Sequence, residues 1–349
     1  MDYRLLNLLL RLGDFFAIIP SLKEPQAHKT IRQARLVLIK FFITVGTAMS
    51  IYYKDISRNY HMVKKISLIL TDLVLYGFSM CVMMEGKKFK KWHRLLNNLK
   101  MIDCFLRCYI DDKKESLYTK FLVLLLIIFI ITIYMCYYWT VVYGFVFWQR
   151  LSFTIFASYS LFIYTGCIYV ILRTMLSKYR ALKDVLKIII FKNSVLYLRE
   201  IEYLVSLMSE TVCIFNDIFG RSLALMISFA TLQLISYLDY GLSNRSYAGD
   251  MFHRALTQLL FCTLMCPTLV VILTCDSIVD ESQAILSMVF RSRSSFRDPQ
   301  RRKELYRFAE LFSQNRPQFT AARYFSIEKS TILKILETIL TFLIVLVQF

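Results

Sequence analysis

Apolar segments as long as a membrane is thick recur along the whole chain. Seven windows of roughly 20 mostly apolar residues, enough to cross a hydrocarbon core of ~30 Å, fall at 36–53, 66–84, 119–143, 151–176, 219–238, 255–275 and 331–349. The third and fourth are the most continuous, whereas Gln233 interrupts the fifth and Lys334 and Glu337 interrupt the seventh. The pattern predicts an all-α membrane protein with seven transmembrane helices.

Two stretches between these windows have helical periodicity. Apolar residues recur at steps of three and four in 182–204, interleaved with Lys and Arg, and a similar pattern occupies 305–312. The first stretch predicts that spans four and five extend below the membrane, and the second predicts a cytoplasmic helix that ends before Pro317. The residues leave two interpretations open: these helices pack only within their own chain, or they form an anchor domain that gathers several subunits.

The first residues predict an amphipathic helix. Arg4 precedes a run of leucines that resembles the core of a signal peptide, but Arg11 and Asp14 interrupt the run after too few apolar residues. We therefore expect a helix over 3–19 that lies at the inner membrane surface and ends at Pro20.

Composition and charge support a membrane protein and give it an orientation. The chain is 57% hydrophobic with 19% charged residues, and its mean hydropathy is +0.50. More than thirty of the 43 Lys and Arg residues lie before the first window or in the segments that follow windows two, four and six. Because cytoplasmic loops carry the excess of basic residues, the amino terminus is expected in the cytoplasm and the carboxyl terminus outside. Basic residues spread over four membrane loops argue against a nucleic-acid partner.

The sequence gives no sign of catalytic or metal chemistry. The four histidines are scattered and no cysteine pair has a neighbouring histidine, so neither a metal site nor a cofactor is expected. We find no nucleophile–base arrangement or phosphate loop, which indicates that the protein is not an enzyme. The sequon Asn244-Arg245-Ser246 falls in the predicted outer loop between spans five and six, which makes Asn244 a candidate glycosylation site.

The last window places polar side chains on one helical face. Steps of three and four residues connect Thr331, Lys334, Thr338, Thr341, Val345 and Gln348. Hydroxyl and amide groups in a ring can hydrate ions in a pore, and apolar neighbours can close it by dewetting. The alternative is an ordinary helix whose threonines donate to the carbonyl four residues earlier.

The end of the chain resembles the signature of the insect gustatory receptors, which is Thr-Tyr, five apolar residues and Gln-Phe. Thr341, the apolar stretch 343–347, Gln348 and Phe349 match this signature, whereas Phe342 replaces the tyrosine. The approach to the last window, 319–327 with Ser330, is similar to that family as well. The close match covers roughly the final thirty residues, and the remainder agrees in span number, orientation and loop proportions.

This resemblance implies a tetrameric, ligand-gated cation channel related to the insect odorant receptors. In that arrangement the last span of each subunit lines a central pore, which Thr338, Thr341, Val345, Gln348 and Phe349 would form, and cytoplasmic helices hold the subunits together. The implied division is 1–35 as a cytoplasmic amino-terminal segment, 36–275 as a six-helix ligand-binding bundle, 276–330 as a cytoplasmic anchor and 331–349 as the pore span. The implied location is the plasma membrane of gustatory neurons, at the dendrite, with homo- or heterotetramers that bind a small tastant; a bitter compound is one candidate.

The resemblance also places a ligand pocket among the outer halves of the earlier spans. The candidate side chains there are aromatic or polar, namely Asp72, Tyr76, Tyr134, Tyr138, Trp139, Tyr159, Gln233, Tyr237 and Gln258. Aromatic rings can stack on a flat ligand while polar groups orient it. Tyr and Trp also concentrate at membrane interfaces without any such role. A carboxylate within a span is costly unless it has a task or a partner, so Asp72 is the strongest candidate.

A G-protein-coupled receptor and a secondary transporter are the two alternative functions for a membrane protein of this kind. A G-protein-coupled receptor also has seven spans, but it requires the opposite orientation, and the chain has neither an Asp-Arg-Tyr end to span three nor an Asn-Pro-x-x-Tyr in span seven. A secondary transporter usually shows internal repeats and broken spans, whereas we find no repeat and only nine Gly and five Pro. One of those prolines, Pro267, is expected to kink span six.

Overall fold

The computed structural model describes residues 3–16, 18–19, 29–56, 62–85, 89–107, 118–192, 196–243, 251–295 and 299–348. Helices occupy most of these ranges, with one short β-hairpin. The helices are α1 (Tyr3–Phe15), α2 (Lys29–Ile56), α3 (Met62–Glu85), α4 (Phe89–Arg107), α5 (Tyr118–Tyr143), α6 (Phe145–Lys192), α7 (Leu196–Ser243), α8 (Met251–Ser295), α9 (Pro299–Gln314) and α10 (Lys329–Gln348). The antiparallel strands β1 (Thr320–Ala321) and β2 (Phe325–Ser326) lie between α9 and α10.

The predicted all-α class is confirmed. The seven apolar windows lie in α2, α3, α5, α6, α7, α8 and α10, in that order. Among the described residues, five segments have the length and hydropathy of a membrane span, namely Gln33–Tyr53, Lys65–Met84, Thr119–Val142, Ser152–Ile190 and Leu198–Ser236. The remaining two windows fall in α8 and α10.

Three helices are much longer than the membrane is thick. α6 and α7 each have 48 residues and α8 has 45, so each is about 70 Å long at 1.5 Å per residue. As the periodicity predicts, α6 continues beyond window four and α7 begins before window five. Leu182 and Leu186 of α6 and Ile201 and Leu204 of α7 are buried in these extensions. α9 ends at Gln314, before Pro317, as its periodicity predicts.

The structure contains a helix, α4, that the hydropathy pattern did not predict. α4 buries Trp92, Leu95, Leu99, Ile102 and Leu106, whose spacing of three and four residues forms one face. This face packs on α6 and α7. Its opposite face is rich in Lys, Arg and Asn, so the mean hydropathy of the segment stays low and hides the helix from a search for apolar windows.

The amino-terminal helix differs in its surroundings from the expectation. Leu5, Leu6 and Leu9 of α1 are buried, but they pack on α6 of the same chain rather than on lipid. Gly166 of α6 lies beside this contact: a Cβ there would meet Leu9 at an ordinary 3.6 Å but would crowd the ring of Phe121 of α5 at 3.0 Å. The helix ends at Phe15, and residue 20, the predicted end point, lies outside the described residues.

The core surrounds α6. This helix packs on α8, α2, α1 and α4, while α3 packs on α7. α5 lies at the edge, where many of its apolar side chains are exposed, including Tyr137 and Val141. In a chain that crosses a membrane, such a surface is the one that faces lipid or a neighbouring subunit.

Candidate functional site: the terminal helix and its clamp

The described part of α10 presents three distinct faces. Thr331 and Ile339 are buried, and Ile332 and Ile335 pack against the core from the same side, where α7 and α8 lie. A second face carries the exposed apolar side chains of Leu333, Leu336, Leu340 and Ile344. A third face carries Lys334, Glu337, Thr338 and Thr341, all exposed. A helix of one subunit that leaves both an apolar and a polar face open is suited to a position between a hydrophobic partner and water.

Two of the five predicted pore residues, Thr338 and Thr341, lie on the polar face. The hydroxyl of Thr338 donates to the carbonyl oxygen of Lys334 at 2.8 Å, and that of Thr341 to the carbonyl oxygen of Glu337 at 3.0 Å. Each hydroxyl oxygen keeps its capacity to accept a hydrogen bond or contact a cation. The backbone of 345 and 348 continues the helix, but the side chains of Val345 and Gln348 and the whole of Phe349 lie outside the described residues.

One member of the predicted stripe has a different role. Thr331 is buried, and its hydroxyl donates to the carbonyl oxygen of Ser326 at 3.1 Å while it accepts the N–H of Glu328 at 3.2 Å. The second contact has the form of a capping box, in which a side chain of the first helical turn satisfies the N–H of the preceding cap residue. Thr331 therefore stabilises the start of α10 and does not share the exposed polar face.

Two aspartates of α8 hold the first residue of α10. The buried carboxylate of Asp276 accepts the backbone N–H of Lys329 at 3.1 Å, and its other oxygen lies 2.7 Å from the Lys329 ammonium. Asp280, one turn further along α8, lies 3.1 Å from the same ammonium. A negative charge at a helix amino terminus is stabilised by the helix dipole. The hydrogen bond that the Lys329 ammonium donates to Asp276, with a second to Asp280, raises the pKa of Lys329, so the contact persists to alkaline pH.

We expect the two aspartates to contribute unequally. Asp276→Ala removes a buried cap together with the near ion-pair partner, and should destabilise the docked start of α10 by about 1–2 kcal/mol. Asp280→Ala is the matched control, because that side chain is largely exposed and a surface pair contributes roughly 0.5 kcal/mol or less. Backbone hydrogen exchange of residues 329–333 measures both effects. Equal acceleration in the two variants would contradict the assignment of the clamp to Asp276.

The predicted ligand residues fall into two groups. The first lies on α3 and α7, which pack together. Asp72 is buried, and the hydroxyl of Ser50 on α2 donates to its carboxylate at 2.8 Å. Tyr76 lies one turn further along α3 and is half-buried. Gln233 is half-buried on α7, one turn before Ser236, whose hydroxyl lies 3.3 Å from that of Ser67 on α3. These contacts make the boundary of α2, α3 and α7 a polar seam inside the bundle.

The second group lies on α5 and α6. Tyr159 of α6 is half-buried, and its ring packs edge-on against Phe129 of α5 with centroids 6.4 Å apart. Tyr138 and Trp139 are half-buried one turn beyond the partly exposed Tyr134. The side chains of Tyr237 and Gln258 and the glycosylation candidate Asn244 lie outside the described residues. The ligand candidates whose side chains the structure describes therefore lie on two separate helix pairs, α3 with α7 and α5 with α6.

Sequence reasoning missed a buried row of aromatic rings. Phe78 of α3 packs edge-on against Tyr164 of α6 at 5.6 Å between centroids, and Tyr164 packs on Phe219 of α7 at 5.8 Å. Phe219 also contacts Phe215, which packs edge-on against Phe319 at 5.5 Å, immediately before the hairpin. Isolated aromatic residues in apolar windows carry no signal of such a row, because their neighbours come from distant parts of the chain.

The long helices, the apolar segments and the exposed terminal helix define a helical multi-pass membrane protein. The sequence model of the 7tm chemosensory receptor family matches residues 6–349. The chain therefore belongs to the 7tm chemosensory receptor family, which makes it a receptor and not an enzyme. The resemblance to insect chemoreceptors that its last residues indicated is confirmed at this level.

Solved structures agree with this fold. The chain is similar to the insect olfactory receptor OR5 from Machilis hrabei at 14% identity and a TM-score of 0.66, covering 99% of this chain and 97% of that one. The structure of the same receptor in complex with eugenol matches at 14% identity and a TM-score of 0.60, covering 99% of each chain. At this identity the likeness establishes the fold. No curated protein matches the chain in sequence.

Proposed function

We propose that this chain is a gustatory receptor that acts as a subunit of a ligand-gated, non-selective cation channel. In the proposed assembly four identical or related subunits place α10 around one central axis, in the plasma membrane of a gustatory neuron dendrite. The amino terminus is in the cytoplasm and the carboxyl terminus outside. Binding of a small tastant to the helix bundle opens the pore, which leads to acceptance or avoidance of the compound.

The three faces of α10 carry this proposal. A pore helix needs one face held by its own subunit, one face against a neighbour or lipid, and one face that water and ions can wet. The described residues of α10 supply these faces in that order around the helix. Thr338 and Thr341 would surround the axis with hydroxyl oxygens, and Val345, Gln348 and Phe349 would continue the lining to the outer end.

The polar seam and the α5–α6 aromatic group support a ligand site inside the bundle. Asp72 offers a buried carboxylate, whereas Tyr134, Tyr138, Trp139 and Tyr159 offer ring faces. Tyr76, Gln233, Tyr237 and Gln258 are proposed as further contacts. The structure of OR5 in complex with eugenol supports the choice of small, partly aromatic molecules as the first ligands to test.

Expression of the full chain, alone and with related receptor subunits, tests the proposal. We expect a panel of tastants to include compounds that evoke an inward cation current, and a carboxyl-terminal tag to bind antibody on intact cells. A tag that reacts only after permeabilisation, together with ligand-driven G-protein activation and no ligand-evoked current, would instead favour a G-protein-coupled receptor. Tastant uptake coupled to an ion gradient would favour a transporter.

A further inference from the structure

The β-hairpin before α10 has an unusual turn. Ala322 and Arg323 both have positive φ, of 51° and 65°, and the N–H of Tyr324 donates to the carbonyl oxygen of Ala321 at 2.9 Å. Two successive positive φ values are typical of a type I′ turn, in which Asn and Gly are the usual residues. Ala and Arg are disfavoured in this conformation. Contacts outside the hairpin must therefore hold it.

Those contacts come from one face of α7. The amide of Asn216 donates from Nδ2 to the carbonyl oxygen of Gln318 at 2.6 Å and accepts the N–H of Thr320 at Oδ1 at 3.2 Å. Gly220, one turn away, brings the backbones together, because a Cβ there would lie 3.1 Å from both the nitrogen of Ala322 and the oxygen of Thr320. Asn216 thus binds the backbone on both sides of Phe319, at the start of the first strand. Gly220 leaves room for the backbone of Thr320 and Ala322.

The hairpin in turn determines where α10 begins. Only Ile327 and Glu328 separate β2 from the helix. The N–H of Ile327 donates to the carbonyl oxygen of Phe319 at 2.8 Å, and the Thr331 hydroxyl binds the carbonyl of Ser326. No flexible linker separates the two elements, so a displacement of the hairpin displaces the first turn of α10.

The same face of α7 also receives α4. The carboxylate of Asp217 accepts a hydrogen bond from the guanidinium of Arg323 in the hairpin at 3.2 Å and another from the ammonium of Lys91 on α4 at 2.6 Å. α4 follows α3, which carries Asp72 and Phe78, by three residues. The row of rings described above ends at Phe319, through its contact with Phe215. The hairpin therefore lies where the helix bundle, α4 and the terminal helix meet.

We propose that Asn216 and Gly220 are positioning residues that hold the hairpin, and through it α10, in the unliganded arrangement of the channel. This rests on the proposed pore role of α10. Release of the hairpin removes contacts that favour one arrangement of α10, so the population of other arrangements rises. The hairpin residues do not line the pore, and the ion path is unchanged.

The test compares Asn216→Asp and Gly220→Ala with matched controls in the full chain. Asn216→Asp replaces the donor that binds Gln318 with an acceptor, and Gly220→Ala places a methyl group against the hairpin. The control for Asn216→Asp is Asn97→Asp. Asn97 is an exposed residue of α4, and its Nδ2 donates a weak hydrogen bond to the sulfur of Met101 at 3.8 Å. The control for Gly220→Ala is Gly77→Ala, where a Cβ would meet only Leu225, at 4.0 Å.

Channel recordings without ligand, with Na⁺ as the permeant ion, give the functional readout. In Asn216→Asp the hydrogen bond to the carbonyl oxygen of Gln318 is lost and two acceptor oxygens face each other, which corresponds to a shift of roughly tenfold in a two-state equilibrium. In Gly220→Ala the added methyl group crowds the backbone of Thr320 and Ala322. We expect both hairpin variants to raise spontaneous open probability by about that factor, with unitary conductance and Na⁺/K⁺ selectivity unchanged and the controls like the wild type. Unchanged open probability, or an altered unitary conductance, would overturn the proposal.

Backbone hydrogen exchange separates this inference from the channel proposal. We expect exchange over 320–333 to accelerate roughly tenfold or more in both hairpin variants and not in the controls, whether or not the chain conducts. A wild type that never conducts with any subunit or tastant would remove the proposed function. If exchange at the start of α10 is the same in the hairpin variants as in the wild type, then Asn216 and Gly220 do not position this helix.

Discussion

A positive charge at position 341 is expected to reduce the cation current at least tenfold. Thr341 lies on the exposed polar face of α10, and in a tetramer four copies of Thr341→Lys would surround the ion path. One unit charge 4 Å from a monovalent ion costs about 1 kcal/mol even in bulk water, so four charges add several kcal/mol to its passage. Single-channel recording with Na⁺ outside measures the effect.

A pair of cysteine variants provides the control for this charge. Thr341→Cys and Leu340→Cys introduce the same small thiol on adjacent residues, one on the polar face and the other on the exposed apolar face. A water-soluble cationic thiol reagent should block the current of Thr341→Cys and leave that of Leu340→Cys within about twofold, as for the treated wild type. Block of both variants, or of Leu340→Cys alone, would place the water-filled path elsewhere.

The largest loss of stability is expected from Lys178→Met. Lys178 of α6 forms an ion pair with Asp103 of α4, and both side chains are 4% exposed. Removing one partner leaves an uncompensated buried charge, which costs about 3–5 kcal/mol. The thermal unfolding temperature and the yield of monodisperse protein should both fall. The double variant Lys178→Met with Asp103→Leu should recover most of the loss, because neither charge of this pair then remains.

Lys187→Met on the same helix is the comparison for this loss. Lys187 pairs with Asp184 at 3.1 Å, and both side chains are more than half exposed. An exposed pair contributes about 0.5 kcal/mol, so unfolding should barely change. Equal losses of stability in Lys178→Met and Lys187→Met would show that the buried pair does not stabilise the packing of α4 on α6. The same conclusion would follow if the double variant is no more stable than Lys178→Met alone.

Local patterns were enough to predict the long apolar helices. Each of the windows 36–53, 66–84 and 119–143 is predominantly apolar over about 20 residues, which specifies a helix without reference to the remainder of the chain. The same reasoning failed for α4 because its buried residues alternate with Lys and Asn, which lowers the mean hydropathy. For α1 it predicted the amphipathic helix but not the surface that covers it, since lipid and α6 are equally acceptable to Leu5 and Leu9.

The polar face of α10 was also predictable in part. A spacing of three and four residues correctly places Lys334, Thr338 and Thr341 together, because the helix geometry alone determines it. The spacing also assigns Thr331 to this face, whereas the structure buries it. Helix geometry gives the direction of a side chain, but the burial of that side chain depends on neighbours such as Ser326 and α8.

The sequence by itself determined the membrane class, the all-α fold, the apolar windows and the family, since each depends on composition, period or a short motif within one segment. Only the tertiary structure decided which faces are covered and how the terminal helix is held. Asn216 meets Thr320 across 104 residues, and Asp276 meets Lys329 across 53. Contacts between segments so far apart depend on how the whole bundle packs, and no local pattern of hydrophobic and polar residues encodes them.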